Sequence, residues 1–186
     1  MVDVKEHTVD ELKRRLESER TSLNKLVYLE SAIKQRDLTF EMKRFILGKL
    51  AEFYEERLMY DKAGRALANK AGIDISYRDK IETYLKAAEL FAKSGRLDES
   101  EDMFVNAERN STSEQKQRIK LARKNILLVN AHYLEKQGKR ASALKFYEKL
   151  IKMDLDLIEK KEVKDKLLKT YKQLGKFREA ALLEGI

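Results

Sequence analysis

One small pattern recurs four times along this 186-residue chain: an aromatic residue or Leu, four positions later a Gly or its replacement, and five positions further a small residue. The instances are Tyr54/Leu58/Ala63, Phe91/Gly95/Ser100, Leu134/Gly138/Ala143 and Tyr171/Gly175/Ala180. A residue suited to positive φ between two apolar runs stops one helix and lets its antiparallel partner begin. Repetition of that unit predicts an array of helical hairpins, none of which buries its apolar face alone, so that stacking has to supply a continuous core.

Composition agrees with helix nearly throughout. Hydrophobic residues make up 42% and charged residues 39%, with 0 Pro and 7 Gly, which excludes collagen-like and Pro/Gly-rich disordered classes and predicts an all-α chain. With 0 Cys there is no disulfide framework, no thiolate nucleophile and no Cys-based metal site. The first twenty residues are charged and carry no long apolar run, so neither a signal peptide nor membrane insertion is expected, and a cytoplasmic location follows as the default. The net charge of +8 is uneven: residues 1–93 hold 19 basic and 17 acidic side chains, residues 94–186 hold 21 and 15. Such a bias favours an anionic partner, although interspersed acids make it a solvated lysine-rich surface rather than a polybasic tail.

Capping signals place the helices. Thr8 with Glu11 reads as a capping box that starts a long helix, whose stripe of Val9, Leu12, Leu16, Glu19, Leu23, Leu26, Glu30 and Ile33 is heptad-like. Thr21 and Ser22 offer a restart inside it. Thr39 caps the next helix to about Arg57, and its partner from Tyr60 ends near Gly72, read as a left-handed C-cap. Ser76 with Asp79, and Ser111 with Glu114 or Thr112 with Gln115, open two further helices ending near Ser94 and Gln137. Across the turns, Ala51 with Ala63, Ala88 with Ser100 and Ala131 with Ala143 are small enough to let paired helices approach to about 8–9 Å. Leu67, Phe104 and Tyr147 then insert into the next hairpin, and Tyr54, Phe91, Tyr133, Tyr147 and Tyr171 all fall at core spacing.

The segments AEFYEERLMYDKAG, AAELFAKSGRLDES, NAHYLEKQGKRASA and LKTYKQLGKFREAA carry a resemblance to tetratricopeptide repeats over roughly residues 44–186. The resemblance implies a right-handed α-α superhelix, a TPR-like solenoid over residues 39–186 behind an N-terminal helical extension over residues 1–38. The breaks are spaced 37, 43 and 37 residues apart, longer than the usual period of about 34, and the family's closing Pro is absent. Long arms of this kind are similar to the repeats of SNAP-type attachment proteins and of proteasome-lid-like subunits.

In such arrays the first helix of each hairpin lines a concave groove. Its ligand-facing register gives an acidic early groove, with Glu52, Glu55, Glu56, Glu82 and Glu89, and a mixed later one, with His132, Lys136, Lys169 and Lys172. The chaperone-binding carboxylate clamp is not expected, because Gly48/Glu52 and Leu85/Glu89 stand where it needs Asn and Lys. The acidic positions suit a basic peptide, against the alternative of ion pairs with neighbouring Lys and Arg. KQRIKLARK places Lys116, Lys120, Arg123 and Lys124 on one helical side, a patch for RNA phosphates or an anionic membrane, but no aromatic is interleaved for base stacking.

Catalytic signatures are missing. His7 and His132 have no ligand-spaced partners, and Asp154/Asp156 read as a helix start rather than a magnesium site, so no cofactor, metal or enzymatic activity is expected. At the C-terminal edge Leu182, Leu183 and Ile186 suggest burial in a homodimer or against a partner. The expected function is therefore a non-enzymatic protein-interaction scaffold or adaptor binding a peptide or helix. An RNA- or ribosome-associated factor and a SNAP-like trafficking adaptor are the alternatives.

Overall fold

The structure, a computed structural model, describes residues 5–185. Among these residues the chain is all-helical, with ten helices: α1 Val9–Ser18, α2 Ser22–Ala32, α3 Phe40–Glu56, α4 Tyr60–Ile73, α5 Tyr77–Lys93, α6 Leu97–Arg109, α7 Ser113–Lys136, α8 Arg140–Leu150, α9 Leu157–Gln173 and α10 Phe177–Glu184. Consecutive helices pack as hairpins α3/α4, α5/α6, α7/α8 and α9/α10, while α5 also packs on α4 and α7, and α9 on α8.

The four recurring motifs form one repeated turn. The N–H groups of Met59, Arg96, Lys139 and Lys176 donate to the carbonyls of Tyr54, Phe91, Leu134 and Tyr171 at 2.8–2.9 Å. Those of Leu58, Gly95, Gly138 and Gly175 donate to Glu55, Ala92, Glu135 and Lys172. Both bonds together make the Schellman motif, which satisfies the last carbonyls of a helix and needs a left-handed residue at the break. The glycines adopt φ of 82°, 73° and 71°, and Leu58 is forced to 58°. The residue after each break also opens the next helix, with its carbonyl accepting from Ala63, Ser100, Ala143 and Ala180. The small residue is therefore bonded into the first turn of the returning helix, where a larger side chain would push the pair apart. Ser100 adds a bond across its hairpin, its hydroxyl donating to the Ala88 carbonyl at 2.9 Å.

Leu58 exposes 69% of its surface, so its left-handed backbone is not offset by burial of the side chain. Replacement with Gly releases strain of about 1–2 kcal/mol and gives back about 0.5–1 kcal/mol through the greater freedom of the unfolded chain. Leu58→Gly is therefore expected to raise the urea midpoint, by about 0.5–1 kcal/mol of stability at unchanged m-value. A midpoint at or below that of the wild type would rule the strain out.

The structure corrects three local expectations. The N-terminal stripe is not one helix: it breaks at Glu19–Arg20, and Thr21 accepts from the Asn24 N–H to start α2. The interruption resets the helical phase, so Leu12, Leu16 and Leu26 are buried while Leu23 points outward. Both short helices rest on α3, and Arg57 donates to the Ser22 hydroxyl while Tyr54 donates to Glu30. Gly72 is not a left-handed cap, because α4 continues to Ile73 and stops at an extended Asp74 whose carboxylate is held from two sides. Tyr133 lies at the surface rather than in the core, whereas Phe104 and Tyr147 are fully buried as stacking residues.

The 43-residue spacing also has a structural cause. Helices α3, α5 and α9 are each 17 residues long, but α7 has 24. Seven extra residues are close to two helical turns, so α7 gains an overhang without rotating its packed face. Thr112 and Gln115 form the capping box at its start.

Candidate functional site

Helix α3 is tied to α5, and α7 to α9, at matching positions. Lys86 on α5 donates to Glu55 on α3 at 2.9 Å, and Lys166 on α9 donates to Glu135 on α7 at 3.0 Å. In each case the acid stands three residues before its break and the lysine nine before the next. Between α5 and α7 the same two positions hold Ala92 and Val129, so that link carries no charge.

The acidic residues expected to face a ligand are largely answered from within. Glu52 pairs with Lys49 at 2.6 Å and Glu82 with Arg78 at 3.1 Å, both along one helix turn. Glu55 and Glu89 share Lys86 and Lys93, forming a four-membered cluster across α3 and α5. Burial raises the Glu89 carboxyl, but bonding to Lys93 and the charges of Lys86 and Lys93 outweigh it and hold the group below the usual carboxylate range. Among the described residues only Glu56 of this set lacks an ion-pair partner, and it is exposed. The early part of this face is thus close to charge balance.

The α7–α9 part is different. Leu128, His132, Tyr147, Glu162, Val163, Asp165, Lys166 and Lys169 surround a depression of about 390 Å³. The structure therefore brings His132 and Lys169 together, whereas Lys136 and Lys172 lie outside; Lys172 bonds instead to Glu184 at 2.6 Å. Tyr147 comes from α8 and reaches the depression through the gap between the two first helices. Its ring lies 6.0 Å from that of His132, tilted by 54°, and its hydroxyl donates to Glu135 at 3.0 Å. Burial and this bond push the Tyr147 phenol far above its ordinary range. Burial raises Glu135 as well, yet Lys166 and Tyr147 prevail and lower it. The result is a fixed floor of Leu128, Val163 and aromatic ring, rimmed by both signs of charge. Val163, Lys166 and Tyr147 escape a search restricted to groove positions, since the first two sit one residue off that register and Tyr147 belongs to the second helix.

Burial, with a smaller contribution from Lys166, lowers the pKa of His132 and favours the neutral ring. Between the folded value and the unfolded value of about 6.5, the unfolded chain binds more protons, so stability rises with pH. The His132 contribution is present above that window and is lost as pH falls through it. Urea unfolding at pH 7.5 and 5.5 is expected to show a drop in stability that His132→Gln reduces. An identical drop in both proteins would show that the imidazole is not responsible. Glu89 and Glu135 act in a separate window, their contributions being lost only as pH falls below about 4.5.

The basic patch divides in two. Arg123 bonds to Glu101, which also takes Lys149 at 2.7 Å, and Lys124 bonds to Glu159 at 2.6 Å. Lys116 and Lys120 are exposed, with no ion pair among the described residues. At the last hairpin Leu182 is exposed, Leu183 is partly covered by the core, and Ile186 lies outside the described residues. The position equivalent to the stacking residues Leu67, Phe104 and Tyr147 is Glu184, so the inserting apolar group of the earlier hairpins is replaced by an ion pair with Lys172. His7 lies ahead of α1, far along the chain from His132, with its N–H donating to Glu11. Asp156 caps α9. Among the described residues no three His, Asp or Glu side chains converge as a metal site, and no helix is long and apolar enough to cross a membrane. No protein-family model matches the chain, and no curated protein matches it.

Proposed function

We propose that the chain is a non-enzymatic interaction module whose α3–α5–α7–α9 face captures a peptide or helix of a protein partner, with the α7–α9 depression seating an apolar side chain. The observation that supports this reading is the lining of that depression. His132 of α7 and Glu162, Asp165 and Lys169 of α9 meet there around the apolar floor of Leu128, Val163 and Tyr147. Apolar anchors in preformed pockets, with charges at the rim for orientation, are the usual means of peptide recognition. The repeated Schellman turns support an array of helical hairpins; a tetratricopeptide-like, right-handed superhelical stack over residues 39–186, a helical extension over residues 1–38 and a cytoplasmic setting belong to the same proposal.

Selection from a displayed peptide library tests the reading. The expected ligands carry a bulky apolar residue flanked by charges, bind the wild type, and are lost with His132→Trp, which fills the depression, and with Lys169→Glu. Arg14→Gln, on α1, is expected to bind as the wild type does. No selectable ligand, or ligands indifferent to His132→Trp, would dismiss it. Self-association through exposed Leu174, Phe177 and Leu182 is a subordinate proposal. Sedimentation unaltered by Leu182→Glu at high concentration would remove it.

A further inference from the structure

A second concave site lies where the two-turn overhang of α7 meets the end of α8. Gln117, Lys120, Leu121, Arg123 and Lys124 of α7 face Lys149, Lys152, Met153 and Asp154, enclosing about 580 Å³. Two features of the chain build it. The seven extra residues carry α7 past the body of its hairpin. A tight turn after α8, with the N–H of Lys152 donating to the carbonyl of Lys149 and that of Met153 to Leu150, keeps Lys149 and Lys152 on the same wall.

Its charge is unbalanced. Five cations line the cavity, and the carboxylates that answer them are Glu101, Glu159 and Asp154, an excess of two positive charges. The imbalance is built in, because Arg123 and Lys149 share the single, largely covered carboxylate of Glu101. Lys120 and Lys152 have no ion pair among the described residues. Cations crowded into a concavity repel one another, and an anion of matching charge relieves that repulsion more than separate counterions do.

We propose that this cavity binds a phosphate monoester or inorganic phosphate in its dianionic form. A phosphoryl group carries about −1.5 to −2 charge at neutral pH and three acceptor oxygens, matching both the excess charge and the donors of Lys120, Arg123, Lys149 and Lys152. A carboxylate brings only one charge. A nucleic-acid strand brings single charges spaced along its length, and no aromatic side chain lines the cavity to stack a base.

The test is an amide chemical-shift titration of the full chain with inorganic phosphate at pH 7.5 and constant ionic strength. Saturable shifts confined to residues near 117–124 and 149–154 are expected. Lys120→Gln/Lys152→Gln, which alters two exposed unpaired side chains, is expected to weaken the affinity at least tenfold without changing the unfolding midpoint. At pH 5, where phosphate is a monoanion, binding weakens while that of sulfate does not. Vesicles of phosphatidylcholine with and without phosphatidic acid then identify the source: retention only with phosphatidic acid assigns a lipid headgroup, and saturable phosphate binding without retention assigns a soluble ester. Linear shifts spread over the lysine surface, an unchanged affinity in the double variant, or preferential binding of duplex RNA would each overturn the proposal.

Discussion

Asp74→Ala is expected to lower stability by about 3 kcal/mol, measured by urea unfolding at neutral pH. Asp74 ends α4 with only 5% of its surface exposed, and both carboxylate oxygens accept from Lys70 Nζ at 2.9 Å. The Thr83 hydroxyl on α5 donates to the same carboxylate at 2.8 Å, and the backbone next to it is held by Arg44 donating to the Ile73 carbonyl. The alanine variant therefore leaves the partly buried Lys70 ammonium with only the Thr83 hydroxyl oxygen at 3.3 Å, leaves the proton of that buried hydroxyl without its acceptor, and frees the joint between the first two hairpins. Unpaired groups of this kind cost more than the intact pair contributes, which sets the magnitude. Lys70 keeps a quarter of its side chain in water, which places the value at the lower end of the range for broken buried pairs. Asp74→Asn keeps an acceptor for Thr83 and should lose about half as much. A loss below 1 kcal/mol for the alanine variant would show that the joint is held by apolar packing alone.

Gly64→Val is the second large effect, with an expected loss of about 2–3 kcal/mol from overpacking. A Cβ at Gly64 meets three ring carbons of Phe91 at 3.0–3.1 Å, inside ordinary van der Waals contact. Phe91 cannot move away easily, because it is buried and its carbonyl is bonded into the second turn motif through Arg96. The absence of a side chain at position 64 is thus what lets α5 lie down on α4. Valine adds two further methyl groups with little rotamer choice in a helix. Gly64→Ala is a useful companion: its gain in helix propensity of about 1 kcal/mol opposes the displacement of the ring, so it should be close to neutral. Combining Gly64→Val with Phe91→Leu should recover part of the loss. If the double variant is instead less stable than either single one, the ring contact is not the cause.

Much of the architecture was legible because it rests on local signals. Caps at Thr8, Thr39, Ser76 and Thr112 behave as their residue types dictate, since a hydroxyl and an orphan amide three residues apart need nothing from elsewhere. Leu58 stands where Gly95, Gly138 and Gly175 stand in the other motifs and adopts the same left-handed conformation, although Leu disfavours it. Gly72 shows the opposite: a residue permissive of positive φ that does not use it, because Asp74 two positions later is captured by Lys70 and Thr83. Of the candidate site residues, their helices were readable from the sequence and their partners were not. Glu55 and Glu89 meet Lys86 and Lys93 only because α3 and α5 lie side by side, and His132 meets Lys169 only because α7 adjoins α9.

By itself the sequence determined that the described chain is helical, where most of its helices start and stop, and that four equivalent hairpin turns recur. Those properties depend on backbone bonds and side chains within a few residues of each other, where residue identity is sufficient information. Only the tertiary structure decided that the early acidic face is nearly neutralised, that Tyr147 reaches the α7–α9 depression, and that Arg123 and Lys149 converge on one carboxylate. Charges separated by 22 to 48 residues are brought together by how helices stack, and their interaction depends on distance and burial, neither of which is written along the chain.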